Sequence, residues 1–214
     1  MSKLFLMRHS TTYYNENDKF AGVLDIPLSP KGIMEAISFG EEHKGISIDC
    51  VFVSSLSRSL DTALLFLSSA YCLKIPLICK YRRISNKIEN EFLPIIRCPE
   101  LNERHYGELQ NLSKTEVDDI YGKEQVFLWR RDYNIGPPKG ETFVSILERV
   151  KLFFERDLLT KLGQDKNILI VAHQNTLRAL WYIIFGGNEV TIKEIEFKNN
   201  QLIEIKFENG AFKL

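Results

Sequence analysis

Lys166-Asn-Ile-Leu-Ile-Val-Ala172, running directly into His173-Gln174-Asn175, decides the fold class. A short, unbroken apolar run with polar flanks reads as a strand buried on both faces. The next stretch, 175–185, has helical spacing, so a strand hands over to a helix at His173. The same handover recurs upstream. Residues 3–7 (Lys-Leu-Phe-Leu-Met) form a first strand ending at Arg8-His9, and 49–54 (Asp-Cys-Val-Phe-Val-Ser) form a second. The second runs into a helix over 57–71 with apolar Leu60, Ala63, Leu64 and Leu67.

Working outward, Ser29 caps a helix over 30–43 whose first residue is Pro30. Residues 75–79 read as a strand, 113–121 and 123–131 as short helices, 137–140 as a turn, and 141–162 as one long helix. The alternating stretch 201–207 closes the chain as a strand. The pattern breaks at 80–99, where charges mix with Phe92, Leu93, Ile95 and Ile96, and this stretch reads as an excursion or flap. Strands alternating with helices predict an α/β fold: a single domain over 1–214, a mainly parallel central sheet with helices on both faces, and an excursion at about 80–100.

Composition narrows the function classes. The chain has 214 residues, 44% hydrophobic and 26% charged, ordinary for a soluble globular domain. Lys+Arg and Asp+Glu are both 28, so no global charge points to nucleic acid or an anionic membrane as partner. No apolar run approaches the ~20 residues of a membrane-spanning helix. The opening, with four apolar residues before Arg8, reads as a strand and not as a signal peptide. Cys50, Cys72, Cys79 and Cys98 lack metal-ligand spacing, so four reduced thiols and a cytoplasmic location are expected, without a metal.

In an open parallel sheet, ligands sit at the carboxyl ends of the strands. Three such ends carry chemistry: Arg8-His9, the turn leading to Arg58, and His173. Two imidazoles and two guanidiniums converge there, beside helix N-termini whose amides favour anions. A lone His at a strand end is usually structural; four such side chains from three separate segments point to phosphate, which the planar fork of arginine binds in pairs. No phosphate-loop, nucleophile-elbow or dinucleotide motif is present.

The stretches Arg8-His9-Ser10-Thr-Thr-Tyr-Tyr-Asn15, Phe20-Ala21-Gly22 and Asp25-Ile-Pro-Leu-Ser-Pro-Lys-Gly32 resemble the opening of the histidine phosphatase superfamily. Leu101-Asn-Glu103-Arg104-His105-Tyr106-Gly107-Glu-Leu-Gln110 is similar to the signature of its cofactor-dependent phosphoglycerate mutases. Lys114, Tyr121-Gly122, Glu124-Gln-Val126, Trp129-Arg130-Arg131, Tyr133, Pro137-Pro138, Gly140-Glu141 and Ala172-His173-Gln174-Asn175-Thr-Leu-Arg178-Ala179 extend the likeness along nearly the whole chain.

That resemblance implies a phosphoglycerate mutase-like fold and a mutase that interconverts 3- and 2-phosphoglycerate in glycolysis and gluconeogenesis. It implies His9 as the nucleophile, forming phosphohistidine after priming by 2,3-bisphosphoglycerate. Arg8, Arg58 and His173 would hold the transferring group, and Glu103 would be the proton donor and acceptor. Thr12, Asn15, Gly22, Tyr106, Lys114, Arg130, Arg131, Gln174 and Asn175 would bind the substrate, a small phosphorylated metabolite. The protein would work as a monomer or homo-oligomer. The alternatives are a phosphatase on the same scaffold and a non-catalytic anion-binding relative.

Three positions depart from the family pattern. Ser10 and Gln174 stand where Gly follows each imidazole, and Ala21 replaces a hydroxyl residue. A position needing φ > 0 would be strained by either side chain, and Gln174 could crowd the phosphate. The block between Arg58 and Glu103 is longer than usual, the one between Pro138 and Gly140 is shorter, and the tail after the last strand is short. Against the family pattern, these departures imply either lowered mutase activity or a balance tilted toward phosphatase.

Overall fold

The computed structural model describes residues 1–70, 74–79, 85–187 and 194–214. In chain order the elements are β1 (Ser2–Arg8), α1 (Tyr13–Glu16), α2 (Pro30–Glu42), β2 (Cys50–Val53), α3 (Ser57–Ser69), β3 (Ile75–Cys79), α4 (Asn86–Glu91) and β4 (Phe92–Arg97). They continue with α5 (Lys114–Tyr121), α6 (Lys123–Arg131), α7 (Phe143–Phe153), α8 (Leu159–Leu162), β5 (Ile168–Ala172), α9 (Gln174–Phe185), β6 (Leu202–Glu208) and β7 (Ala211–Lys213). Among the described residues one sheet is formed, in the order β3-β4-β2-β5-β1-β6-β7. The pairs from β3 to β1 are parallel; β6 and β7 add two antiparallel strands at one edge.

Alternation along the strands separates two cores. Leu4 and Leu6, Cys50 and Phe52, and Ile168 and Ile170 pack with Ile146, Val150, Leu177 and Leu180 of α7 and α9. Phe5 and Met7, Val51 and Val53, and Leu169 and Val171 pack with Leu60, Ala63, Phe66 and Leu67 of α3. A strand apolar at every position can only be buried on both faces, which is why helices cover both.

The reading of 80–99 as an excursion is corrected in part. Phe92–Arg97 is β4, a central strand between β3 and β2, with Leu93, Ile95 and Ile96 buried. Pro94 argues against a central strand, yet the ladder with β2 begins at Ile95, one residue later. Residues 80–84 lie outside the described residues, as do Tyr71, expected to end the second helix, and Cys72. Cys50, Cys79 and Cys98 are free thiols.

The long helix expected over 141–162 begins at Phe143, where Thr142 and Ser145 exchange side-chain-to-backbone hydrogen bonds of 3.1 and 3.2 Å. It passes through a π-turn at Phe154–Leu158 before α8. α2 starts as expected at Ser29, whose hydroxyl accepts from Gly32 N at 3.1 Å. A Cβ on Gly32 would come within 1.9 Å of the Thr11 carbonyl, so only glycine lets this helix end abut the loop after β1.

Candidate active site

Register places the chemistry. β1 and β5 are paired parallel with Arg8 opposite Ala172, and His9 N continues the ladder by donating to Ala172 O at 3.0 Å. His9 and His173 therefore leave the sheet side by side, with ring centroids 4.9 Å apart and planes inclined by 58°. His173 is the N-cap of α9. Arg58 arrives from the first turn of α3, after β2 on the other side of β5.

Both guanidiniums are sunk in the protein. Arg58 is 1% exposed and donates to Leu24 O and Gly22 O, each at 2.7 Å, which fixes the loop around Gly22. Burial pushes its pKa down to about 10, so it stays charged near neutrality. Arg8 donates to Phe197 O at 2.8 Å, and burial lowers its pKa also. The Nε atoms of Arg8 and Arg58, and Nδ1 of His173, are buried with no protein partner. Unpaired buried donors cost stability. Here they suit phosphoryl oxygens.

Both imidazoles are held neutral. Burial is the largest cause, and the charges of Arg58 and Arg8 add to it, keeping His9 and His173 well below the usual histidine range. His9 Nδ1 lies 2.7 Å from Ser10 O. A carbonyl can only accept, so Nδ1 carries the proton and Nε2 is left with its lone pair. His173 Nε2 lies 2.8 Å from Ser54 Oγ and 3.2 Å from Ser59 Oγ. With Ser54 Oγ donating to Ser59 Oγ at 2.9 Å, the Ser59 hydroxyl is the one free to give its proton to Nε2, an arrangement that goes with the ring proton on Nδ1.

Glu103 is positioned from two sides. Its Oε1 accepts from Arg104 N at 2.8 Å and from Asn175 N, in the first turn of α9, at 3.3 Å. Arg149 gathers the preceding backbone, donating to Glu100 O, Asn102 O and Glu103 O at 2.7, 2.8 and 3.3 Å while paired with Glu141. The buried Arg104 donates to Trp129 O at 2.6 Å, which ties the end of α6, where Arg130 and Arg131 sit, to this loop.

All the expected site residues line one cavity of about 300 Å³ except His173, which is fully buried against His9. Eight basic side chains line it against two carboxylates. A chain of zero net charge has concentrated its cations here. Thr12 and Asn15 also cap each other around α1. Asn175 Nδ2 donates to Tyr106 OH at 3.1 Å, and Lys114 pairs with Asp18. The sequence reading assigns no site role to four charged lining residues: Lys19, Arg178, Glu196 and Lys198. Arg178 was findable, since it follows Asn175 by three residues on α9 and donates to it at 3.2 Å.

The departures are accommodated. Neither Ser10 nor Gln174 has positive φ. Ser10 N donates to Thr62 Oγ1 at 3.0 Å and its hydroxyl bonds Asn200. Gln174 Oε1 accepts from Phe197 N at 2.9 Å, and its Nε2 donates to Ile195 O at 3.2 Å. Ala21 lines the cavity.

Among the described residues no helix is long and apolar enough to cross a membrane, and no group of three or more His, Cys, Asp or Glu side chains is placed to hold a metal ion. A family model described as the histidine phosphatase superfamily (branch 1) matches residues 4–77 and 81–214. The chain is 43% identical over 218 residues to a 2,3-bisphosphoglycerate-dependent phosphoglycerate mutase of Chlamydia muridarum, covering 99% of this chain and 96% of that protein. It is 39% identical to 2,3-bisphosphoglycerate-dependent phosphoglycerate mutase 1 of Arabidopsis thaliana, covering 90% and 59%. Its fold matches the crystal structure of the α-ribazole phosphatase from Shigella flexneri with a TM-score of 0.76, at 26% identity, over 99% and 94% of the two chains.

Proposed function

Because the chain belongs to the histidine phosphatase superfamily, we propose that it is a 2,3-bisphosphoglycerate-dependent phosphoglycerate mutase acting in glycolysis and gluconeogenesis in the cytoplasm. The observation that carries this reading is His9 set 4.9 Å from His173 on a cavity that Arg8 and Arg58 also line, with the Nε atoms of both arginines and Nδ1 of His173 buried and without a protein partner. The 43% identity to the chlamydial mutase over nearly the full chain favours mutase over phosphatase.

In this mechanism His9 Nε2 attacks phosphorus, the bond to the leaving oxygen breaks, and phosphohistidine forms. Arg8, Arg58 and His173 hold the three equatorial oxygens, the positioning and charge compensation that phosphoryl transfer requires. Glu103 protonates the leaving oxygen and takes the proton from the hydroxyl that attacks phosphohistidine on return. Lys114, Arg130 and Arg131 hold the substrate's distal anionic group, while Thr12, Asn15, Gly22, Tyr106, Gln174 and Asn175 complete the surround. The unpaired donors of Arg8, Arg58 and His173 fit one phosphate of 2,3-bisphosphoglycerate, and the distal cations fit the other. When bound, that molecule supplies the phosphoryl group that primes His9.

The test is phosphorus NMR of 3-phosphoglycerate mixed with the protein and a trace of 2,3-bisphosphoglycerate. Accumulation of 2-phosphoglycerate, with acid-labile phosphate on the protein that His9→Ala cannot form, is expected. Release of inorganic phosphate without isomerisation would make it a phosphatase, as the Shigella structural relative is named. No labelled protein at all would leave an anion-binding relative.

A further inference from the structure

Two carboxylates line the cavity, and the mechanism above uses one of them. The other, Glu196, places its Oε1 2.6 Å from Arg131 Nη2. Hydrogen bonding to Arg131 and the charges of Arg131, Arg8 and Arg130 hold its carboxyl below the usual carboxylate range. It is thus ionised and sits on one of the guanidiniums assigned to the substrate's distal group.

Its backbone is fixed by contacts that do not involve its side chain, whose carboxylate pairs with Arg131. The Gln174 amide grips the chain on both sides, through Ile195 O and Phe197 N. Phe197 is buried, its ring edge-on to Trp181 with centroids 6.1 Å apart, and its carbonyl accepts from Arg8. Asn199 Nδ2 donates to His9 O at 2.6 Å. The Glu196 side chain is 65% exposed, so its carboxylate can turn into water without disturbing this strap.

We propose that Glu196 is a specificity-determining residue, an internal carboxylate held on Arg131 that a ligand displaces only by bringing its own distal carboxylate or phosphate. This rests on the reading that Arg131 receives that group. A small anion reaching only Arg8, Arg58 and His173 leaves the Arg131–Glu196 pair intact. A free anion competing for Arg131 meets a tethered rival at high effective concentration. A substrate anchored by its phosphoryl end is tethered too, and it exchanges one Arg131 partner for another. Gln174 acquires a role in this arrangement: the side chain that departs from the family pattern presents the competing carboxylate.

Isothermal titration calorimetry with two probes tests the proposal at about 0.15 M salt, where distant charges are largely screened. Phosphoglycolate carries a distal carboxylate; methyl phosphate does not. Glu196→Gln should tighten phosphoglycolate roughly two- to fivefold, the worth of an exposed ion pair, and leave methyl phosphate within about 1.5-fold. In an Arg131→Ala background the same substitution should do nothing. Equal tightening of both probes, no change in either, weaker phosphoglycolate binding, or a gain that survives Arg131→Ala would each overturn it. If wild type bound phosphoglycolate no tighter than methyl phosphate, the distal role of Arg131 would fall, and the gate with it. If wild type discriminates and Glu196→Gln changes nothing, only the gate falls.

Discussion

His9 and His173 stand with ring centroids 4.9 Å apart although 164 residues separate them, because β1 and β5 are neighbours in register and both end at this point. The closeness is affordable only for neutral rings. Two imidazoliums at that distance, beside Arg8 and Arg58, would repel one another, and burial leaves that repulsion weakly screened.

Stability should therefore depend on these two rings in acid. Burial and the neighbouring arginines lower both folded pKa values well under the ordinary histidine value of about 6.5. Below that value the unfolded chain binds protons that the folded chain refuses, so stability falls with pH. The slope is up to about 1.4 kcal/mol per pH unit for each ring. The urea midpoint should drop between about pH 7 and 5, and less steeply in His9→Gln. Equal slopes in wild type and variant would show that His9 ionises normally.

Ser54 Oγ and Ser59 Oγ lie 2.8 and 3.2 Å from His173 Nε2, and because Ser54 donates to Ser59, the Ser59 proton is the one that can be given to Nε2 and so favour a ring proton on Nδ1. Removing both as Ser54→Ala/Ser59→Ala should free the ring to carry its proton on Nε2, away from the transferring phosphoryl group. A lost hydrogen bond of about 1 kcal/mol in the transition state predicts a fall in kcat of roughly five- to tenfold with little change in KM. Rapid-quench measurement of His9 phosphorylation would read it directly, and an unchanged rate would assign the ring's orientation to packing alone.

How much of this was legible in the sequence follows from how local each signal is. His9, Arg58 and His173 could be placed because each lies just past an apolar run, and strand ends in a parallel sheet converge. β4 was hidden, since Pro94 and the charges before Phe92 break the pattern, and its identity as a strand depends on β2 and β3 flanking it. β7 has only three residues and an edge position. Glu196 and Lys198 were invisible: they belong to an irregular segment whose place at the cavity is set by Gln174 and Phe197, contacts that no local spacing encodes.

Glu103→Gln keeps the acceptor oxygen that Arg104 N and Asn175 N hold, but removes the proton it would donate. Its kcat should fall by about two to four powers of ten, the usual worth of general acid catalysis. Binding of phosphoglycolate should change little. A rate near wild type would reassign the proton donor.

Arg149 acts one step further back. It holds the carbonyls of Glu100, Asn102 and Glu103, and its pair with Glu141 also fixes His105, whose N donates to Glu141 Oε2 at 2.8 Å. Arg149→Ala should cost about 1–3 kcal/mol in urea unfolding, because it strands a half-buried carboxylate and three carbonyls. Activity should drop at temperatures where the variant is still folded, since Glu103 loses its platform. Arg149→Lys, restoring charge without the planar fork, should recover stability only in part. Full recovery would mean that the charge alone organises the loop.

Gly107 closes the motif that carries Glu103, and geometry explains its side-chain requirement. Its φ is +54°, where a side chain is strained, and a Cβ there would approach the Pro138 carbonyl to 1.9 Å and the Gly140 amide to 2.6 Å. The obstructing atoms are backbone, from a turn that also donates Gly140 N to Pro137 O at 2.9 Å, so neither side can yield by a rotamer change. Gly107→Ala should therefore destabilise by about 3 kcal/mol or more, strain and overpacking adding together. The 103–110 segment would move away from the cavity, so kcat should fall more than the loss of folded protein explains. Thermal unfolding alongside activity per folded molecule separates the two effects. A variant as stable as wild type would mean that the turn at 137–140 shifts without resistance, and that the close approach positions nothing.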